Sequence, residues 1–210
     1  MSARWRSTLR RDERRAKEFG EIKYEIVSPT PDTVGGLLTE LFKVEMAGWK
    51  SRVGTALQTW RVLGGFYTAY SRAASERGML RIAFLRINGE AAAAQLLVEH
   101  ANRIWVLKVG YDEKFARCSP GILLMNEVIR HAFSDPVEAF EFLGTYEPWL
   151  DIWLHELRQY ESYHMYPSAL IALASRGWNV SSGAIYKIRS LMAKKYRTLP
   201  SIAPSVGSER

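Results

Sequence analysis

Residues 108–124 read Lys-Val-Gly-Tyr-Asp-Glu-Lys-Phe-Ala-Arg-Cys-Ser-Pro-Gly-Ile-Leu-Leu, and this stretch is the most informative part of the sequence. An apolar strand ending at Val109 enters a polar loop, and the loop ends where a helix begins. Ser119 can cap the free amides, Pro120 suits the first helical position, and Gly121 leaves the backbone bare. Unpaired N–H groups and the helix dipole both favour an anion there, most often phosphate. The sequence predicts an anion site, with an ordinary strand–loop–helix connection as the alternative.

The predicted helix carries one apolar stripe and one polar face. The stripe comprises Gly121, Leu124, Met125, Val128, Ile129 and Ala132, and the opposite face carries Asn126, Glu127, Arg130 and His131. Because these offsets follow the helical period, we expect the stripe to pack against a sheet.

The wider pattern predicts a mixed α/β domain in which helices flank a central sheet. Helices are predicted over Ala3–Phe19, Asp32–Met46, Gln58–Arg77, from Pro120 onward, over Ser168–Arg176 and in a basic C-terminal segment. Strands are predicted over Glu21–Val27, Met79–Ile87, Ala91–Glu99, Asn102–Val109, Glu138–Leu143 and Gln159–Tyr166. Asn88-Gly89 favours a tight hairpin. The helix between Asn102–Val109 and Glu138–Leu143 implies that these strands are parallel, with a right-handed crossover.

Composition narrows the class of protein. The chain has 210 residues, of which 47% are hydrophobic, and it contains no apolar run long enough to span a membrane. The N-terminus lacks the pattern of a signal peptide. The single Cys118 excludes an intramolecular disulfide and suits a reducing, cytoplasmic location. Positive potential at the anion site could lower the pKa of this thiol, although we expect Cys118 to be a bystander because no His lies near it.

The net charge of +7 is concentrated near the two ends. One cluster comprises Arg4, Arg6, Arg10, Arg11, Arg14, Arg15 and Lys17, and the other comprises Lys187, Arg189, Lys194, Lys195 and Arg197. Such clusters attract nucleic acid, anionic lipid or a phosphorylated donor, while a solvated helix face is the alternative. Trp5, Leu9 and Ala16 lie along another side of the first helix, which predicts that it docks with its cations outward.

Several blocks of the chain resemble the GNAT acyltransferase superfamily. They are Glu45-Met-Ala-Gly-Trp49-Lys50 with Gly54-Thr55, then residues 107–121, and then Phe142-Leu143-Gly144 with Trp153. Within the superfamily they are similar to CelD-like proteins of bacterial polysaccharide biosynthesis, which are related to the FemABX peptidoglycan ligases. The likeness runs from about Arg4 to Tyr166. Relatives in this branch generally carry two such units, and this chain matches the second.

The resemblance implies a GNAT-like mixed sheet with a basic N-terminal helix. With the basic segments at either end, the chain is expected to comprise a basic helix (1–20), an acyltransferase domain (21–180), and a basic helix with a disordered tail (181–210). In the family, the strands before and after the crossover helix splay apart, and the pantetheine of the donor lies in the gap. The implied co-substrate is acetyl-CoA or another acyl-CoA, and no metal is required.

The resemblance also assigns the donor-binding residues. They are Val109, Gly110, Arg117, Ser119, Pro120 and Gly121. The pyrophosphate loop of the family is normally Gln/Arg-x-x-Gly-x-Gly/Ala. Residues 117–122 keep the Arg and one Gly, and have Ser-Pro in place of the other.

Glu45 and Lys108 are the strongest candidates for chemistry. Glu45 occupies an otherwise apolar stripe, and an unpaired buried carboxylate is costly. It therefore pairs with a cation such as Lys50 or Lys108, lines a cavity and holds an acceptor amine, or is exposed by fraying of the helix end. Lys108 falls among Ile104, Val106 and Gly110 on one predicted strand face, so it snorkels or points at a ligand.

Other polar residues near the strands Asn102–Val109 and Glu138–Leu143 each have more than one possible role. Tyr111 could protonate a leaving thiolate, as Tyr often does in GNAT enzymes, or could be a core residue. Asp112 could pair with Lys108, orient the acceptor or stabilise a turn. Glu141 alternates with Phe140 and Phe142, which predicts that it faces solvent or a partner chain.

Aromatic residues suggest where an acceptor binds. Glu147 and Trp153 lie in an aromatic loop with Trp149, and stacked aromatics suit sugar rings or hydrophobic groups. Trp49 and Lys50 complete the expected substrate-binding set. The four His residues have no metal-ligand spacing, and neither a Ser-His-Asp pattern nor a Walker loop is present.

The resemblance implies an N-acyltransferase that moves an acetyl or other acyl group from acyl-CoA to an amine. The implied acceptor is an amino sugar or an envelope or exopolysaccharide precursor. A Fem-like ligase that uses aminoacyl-tRNA would explain the basic N-terminal helix and the altered loop. A non-catalytic GNAT-like scaffold is the third possibility. That helix could bind tRNA or an anionic membrane surface, and oligomers are possible.

Overall fold

The fold was obtained as a computed structural model. It describes residues 1–48, 56–134, 137–144, 146–153, 155–159 and 161, with the backbone alone for 56–63. The helices are α1 (Ala3–Phe19), α2 (Val34–Ala47), α3 (Ala56–Glu76) and α4 (Pro120–Ser134), and 3-10 helices span Glu113–Cys118 and Pro148–Ile152. The strands are β1 (Ile22–Val27), β2 (Leu80–Ile87), β3 (Glu90–His100), β4 (Arg103–Tyr111) and β5 (Ala139–Glu141).

Contacts divide the chain into Met1–Leu157 and Arg158–Arg210. The predicted strand Gln159–Tyr166 lies almost wholly outside the described residues. The predicted helix Ser168–Arg176, the basic C-terminal helix and the tail also lie outside them.

The five strands form one sheet in the order β1-β2-β3-β4-β5. Strands β1 to β4 are antiparallel neighbours, and β5 pairs in parallel with β4. Asn88 and Gly89 both have positive φ, at 50° and 79°, as a tight hairpin turn between β2 and β3 requires. The predicted hairpin and the parallel pair across α4 are thereby confirmed.

Two hydrophobic layers cover the sheet. On one face, α2 and α3 contribute Val34, Leu38, Leu41, Phe42, Val44 and Ala74, which pack on Ile82, Phe84, Ala94 and Leu96 of the sheet. On the other face, α1 and α4 contribute Leu9, Ala16, Leu124, Met125 and Val128, which pack on Leu85, Leu97, Ile104 and Val106. The side chains alternate across β2, β3 and β4, so each strand contributes to both layers.

Helix α1 docks through its apolar side, as its pattern predicts. Leu9 and Ala16 are buried, and Trp5 packs against the same layer. Asp12 lies on this inner side with only 4% exposure, and it accepts hydrogen bonds from Arg11 and Arg15 at 3.2 and 3.5 Å. The two guanidinium groups offset the cost of burying this carboxylate.

Glu141 does not face solvent. It is 8% exposed, and its Oε1 accepts a hydrogen bond from Arg103 Nη1 at 2.9 Å. The prediction from alternation with Phe140 and Phe142 was wrong, because β5 lies beside β4 and the cation of the neighbouring strand reaches across.

Helix α2 begins two residues later than predicted. The Val34 N–H bonds to the Thr30 carbonyl at 3.0 Å, so a turn through Thr30–Thr33 precedes the helix. In the part of the chain that the structure describes, no helix is both long and apolar enough to cross a membrane.

Candidate active site

Strands β4 and β5 form a hydrogen-bonded pair over a short distance only. Their parallel pairing covers Arg103–Trp105 and Ala139–Glu141, and β5 then ends while β4 continues to Tyr111. The splaying of these strands that the family resemblance implies stays a prediction. The remaining length of β4, from Val106 onward, extends past the end of β5, and Val109 is 40% exposed there.

A β-bulge in β4 determines which side chains meet beside this stretch. Leu96 of β3 pairs with Lys108 and Leu97 pairs with Val106, so Leu107 is an extra residue. A bulge reverses the alternation of the residues that follow it. Leu107 and Lys108 therefore both lie on the α2/α3 side, and the prediction that Lys108 shares the face of Val106 was wrong.

Lys108 forms an ion pair with Glu45 of α2. The distance from Nζ to Oε1 is 2.7 Å, and the side chains are 18% and 16% exposed. The ammonium also lies 4.7 Å from the centroid of the Tyr67 ring, on α3. Pairing between Glu45 and Lys108 was one of the predicted alternatives. The role of Tyr67 was missed, because the helical pattern of α3 identifies it only as one residue of an apolar stripe.

Two glycines allow the last turn of α2 to approach β4. A β-carbon at Gly110 would lie 3.0 Å from the Cα of Glu45, and one at Gly48 would lie 3.1 Å from the Tyr111 carbonyl oxygen. Contacts this close would force the neighbouring backbone to shift if a side chain were added. The glycines therefore allow Glu45 to lie against the strand. Trp49 and Lys50, which were predicted to bind substrate, follow directly and lie outside the described residues.

The predicted anion site lies at the other end of the loop after β4. Ser119 has φ 50° and ψ 52°, and its carbonyl accepts hydrogen bonds from Ile122 and Leu123 N–H at 3.0 and 3.1 Å. Its left-handed backbone differs from the extended backbone of a side-chain cap, because Ser119 also ends the preceding 3-10 helix. Pro120 begins α4 as predicted. Within the described residues, the Gly121 N–H has no backbone acceptor.

The remaining predicted residues of this loop have defined contacts. The Tyr111 ring packs in the α1/α4 layer, and its Cδ1 would lie 3.6 Å from a β-carbon at Gly121. Asp112 Oδ1 accepts from the Lys114 N–H at 2.9 Å and so stabilises the start of the 3-10 helix. Arg117 forms an exposed ion pair with Glu18 of α1 at 3.1 Å.

Cys118 is a buried thiol. It is fully buried and lies 3.1 Å from the Phe115 carbonyl oxygen, to which the Sγ–H donates. Burial raises the pKa of this thiol. The expectation that the anion site lowers the pKa was wrong, because loss of solvation is the largest influence on this thiol. This supports the interpretation of Cys118 as a bystander.

The predicted aromatic loop lies on the other side of the sheet from the ion pair. Trp153 is 8% exposed, packs against Phe142 and Trp149 at ring distances of 6.0 and 6.2 Å, and joins the α1/α4 layer. Glu147 is exposed. The structure therefore does not bring these residues together with Glu45 and Lys108. Among the residues described, no group of His, Cys, Asp and Glu could hold a metal ion.

Residues 3–150 match the acetyltransferase (GNAT) domain family. This chain belongs to the GNAT acetyltransferase family. The match covers the sheet, the ion pair and the beginning of α4, so these features belong to a GNAT-type acyltransferase. No curated protein sequence matches the chain.

Solved structures of GNAT enzymes are similar to this fold. One is an aminoglycoside acetyltransferase from an uncultured soil metagenomic sample, with TM-score 0.48, 12% identity, and coverage of 69% of this chain and 99% of that chain. Another is the PaiA N-acetyltransferase of Thermoplasma acidophilum in complex with coenzyme A, with TM-score 0.42, 13% identity, and coverage of 55% and 75%.

Proposed function

We propose that this protein transfers an acetyl group from acetyl-CoA to the amine of an amino sugar or of a related envelope or exopolysaccharide precursor. The observation that carries the proposal is the Glu45–Lys108 ion pair, which lies beside the part of β4 that extends past β5. The resemblance to CelD-like proteins supports the acceptor class.

The donor would bind along β4 and at the start of α4. Beyond Trp105, the described residues pair no strand with this edge of β4, and amides of a pantetheine arm can pair with the backbone N–H and C=O groups of such an edge. The beginning of α4 provides the free Gly121 N–H and the positive end of the helix dipole for the pyrophosphate. In this arrangement Val109 and Gly110 lie beside the thioester, and Arg117, Ser119 and Pro120 surround the phosphates.

The transfer would proceed by direct attack. The acceptor nitrogen bonds to the thioester carbonyl carbon while an oxyanion forms, and the C–S bond then breaks to release CoA. Glu45 removes the proton from the amine directly or through one water, and backbone N–H groups at Val109 and Gly110 polarise the carbonyl. Lys108 fixes the carboxylate and adds positive charge beside the oxyanion. Tyr111 protonates the departing thiolate from the donor side. Asp112 stabilises the loop that joins β4 to the start of α4.

One observation favours a second candidate, a Fem-like ligase that takes aminoacyl groups from tRNA. Arg4, Arg10 and Arg14 are exposed on α1 and, among the described residues, have no acidic partner within ion-pair distance. An exposed cationic helix face suits a polyanion.

Calorimetry with acetyl-CoA, a long-chain acyl-CoA and CoA would test the proposal, followed by an acetyl-transfer assay on glucosamine. We expect acetyl-CoA to bind and to raise the melting temperature by mass action, and we expect N-acetylglucosamine to form. Absence of acyl-CoA binding would exclude the proposed donor. RNase-sensitive transfer from aminoacyl-tRNA would instead support the ligase.

A further inference from the structure

Helix α3 presents two neighbouring aromatic rings to solvent. Phe66 is 58% exposed and Tyr70 is 36% exposed, one turn apart on the helix. Their rings are stacked, with centroids 5.7 Å apart and planes inclined by 23°. Exposed large side chains are common singly, whereas a stacked exposed pair provides a flat apolar surface that can receive a ligand.

These rings are connected by direct contacts to the ion pair of the candidate site. Phe66 packs edge-on against Tyr67, with centroids 5.3 Å apart. Tyr67 lies 4.7 Å from Lys108 Nζ, and Lys108 is 2.7 Å from Glu45. The aromatic row of Tyr70, Phe66 and Tyr67 therefore leads from solvent to the proposed catalytic carboxylate on one side of the sheet.

The aromatic residues that the sequence predicts to bind the acceptor are not connected to the ion pair by such contacts. Trp153 is buried in the α1/α4 layer, on the other face of the sheet from Glu45. Phe133 of α4 is even more exposed than Phe66, at 82%, but among the described residues it stacks on no other ring. Phe66 and Tyr70 thus combine exposure, mutual stacking and continuity with the ion pair.

We infer that Phe66 and Tyr70 form the platform that binds the acceptor, and that the acceptor is an amino sugar unit of a glycan. This inference rests on the proposed function. The faces of aromatic rings carry negative potential, which attracts the polarised C–H groups of a pyranose and a protonated amine. A sugar ring that lies on the platform would direct its amine along Tyr67 toward Glu45. The ammonium form loses one proton to water before the attack, and Glu45 takes the second proton as the nitrogen bonds to the carbonyl carbon.

The ion pair at the inner end of the row favours this occupant over a purely apolar one. A protein segment that covered only the rings would make no contact with the adjacent ion pair. A sugar that carries an amine can contact the rings with its C–H groups and the Glu45 carboxylate with its nitrogen. A second copy of the chain is the competing occupant, and the experiment distinguishes it from the glycan.

The probe is the β-1,4-linked glucosamine disaccharide, with binding measured by calorimetry in the absence of acyl donor. We expect the Phe66→Ala and Tyr70→Ala variants to bind it about three- to tenfold more weakly than the wild type. Acetyl-CoA affinity should be unchanged. Phe66→Trp keeps an aromatic ring and should bind the disaccharide about as tightly as the wild type. Phe133→Ala removes an exposed ring elsewhere and should leave the affinity unchanged.

Failure of the platform and failure of the proposed function give different results. If the wild type does not bind the disaccharide, or if both alanine variants bind it normally, the platform is wrong. The platform is also wrong if Phe66→Ala changes only the oligomeric state. Platform-dependent binding without acetyl transfer would overturn the proposed function and leave the platform in place.

Discussion

At the scale of single residues, the chemistry depends on how Lys108 is held. Its ammonium contacts the Glu45 carboxylate on one side and the Tyr67 ring on another. Replacing Glu45 by Gln keeps the shape and an oxygen for Lys108, but removes the charge and the proton acceptor. We expect kcat for acetyl transfer to fall about a hundredfold or more with near-normal acetyl-CoA binding.

A matched control for this substitution is Glu90→Gln, which neutralises the partner of Lys114 in an exposed ion pair between the start of β3 and the 3-10 helix Glu113–Cys118. Exposed pairs contribute little, so this variant should retain wild-type activity and melting temperature. If Glu45→Gln keeps activity within a few-fold of wild type, Glu45 is a structural partner of Lys108 and another group takes the proton.

The contact between Tyr67 and Lys108 gives a second prediction. A phenylalanine keeps the ring face beneath the ammonium, whereas a leucine keeps only the volume. A cation–π contact contributes about 0.5–2 kcal/mol. We expect Tyr67→Leu to lower kcat/KM several-fold and Tyr67→Phe to remain within about twofold of wild type. Equal losses in both variants would assign the effect to the Tyr67 hydroxyl instead of the ring.

Among the secondary-structure elements, α4 is the one whose N-terminus is proposed to bind the pyrophosphate of the donor, and substitutions at Gly121 test this. A β-carbon at Gly121 would have ordinary packing distances, so Gly121→Ala should fold and bind acetyl-CoA within about threefold of wild type. Gly121→Asp adds a negative charge where the pyrophosphate is expected. Calorimetry should show at least about tenfold weaker binding with an unchanged melting temperature. Equal affinities of the Asp and Ala variants would exclude this helix terminus as the phosphate site.

The contact between α2 and β4 has less room for an added methyl group than the start of α4 has. A β-carbon at Gly110 would lie 3.0 Å from the Glu45 backbone, so Gly110→Ala must push the last turn of α2 away from the strand. Overpacking of this kind costs about 1–3 kcal/mol. Chemical denaturation should show that loss, together with reduced turnover because Glu45 moves. Gly121→Ala is the control, since the same added methyl group has room there.

At the scale of the whole molecule, local patterns in the sequence predict most of the architecture. The Asn88-Gly89 turn, the crossover helix at Pro120 and the docking side of α1 are local signals, and the structure confirms them. The face of Lys108 was wrong because a bulge has no signature in simple alternation. The contacts of Tyr67 and Glu141 depend on elements that are distant in sequence, so only the assembled sheet and helices define them.

The cationic surface of α1 contains arginines with two different roles. Arg11 and Arg15 hold the buried Asp12 carboxylate, so reversing their charge would leave that carboxylate without its cations and destabilise the fold. Arg10 and Arg14 are exposed, and ion pairs within the described residues do not involve them. We expect Arg10→Glu with Arg14→Glu to leave the melting temperature nearly unchanged.

If α1 binds a polyanion, this double variant should also bind tRNA or vesicles rich in anionic lipid more weakly, with a shallower dependence on salt concentration. Titrations at several salt concentrations, each on the wild type and the double variant, measure both quantities. Identical slopes would show that the exposed arginines form a solvated helix face. Weaker tRNA binding together with RNase-sensitive transfer would instead favour the ligase, because the cations would then serve the donor.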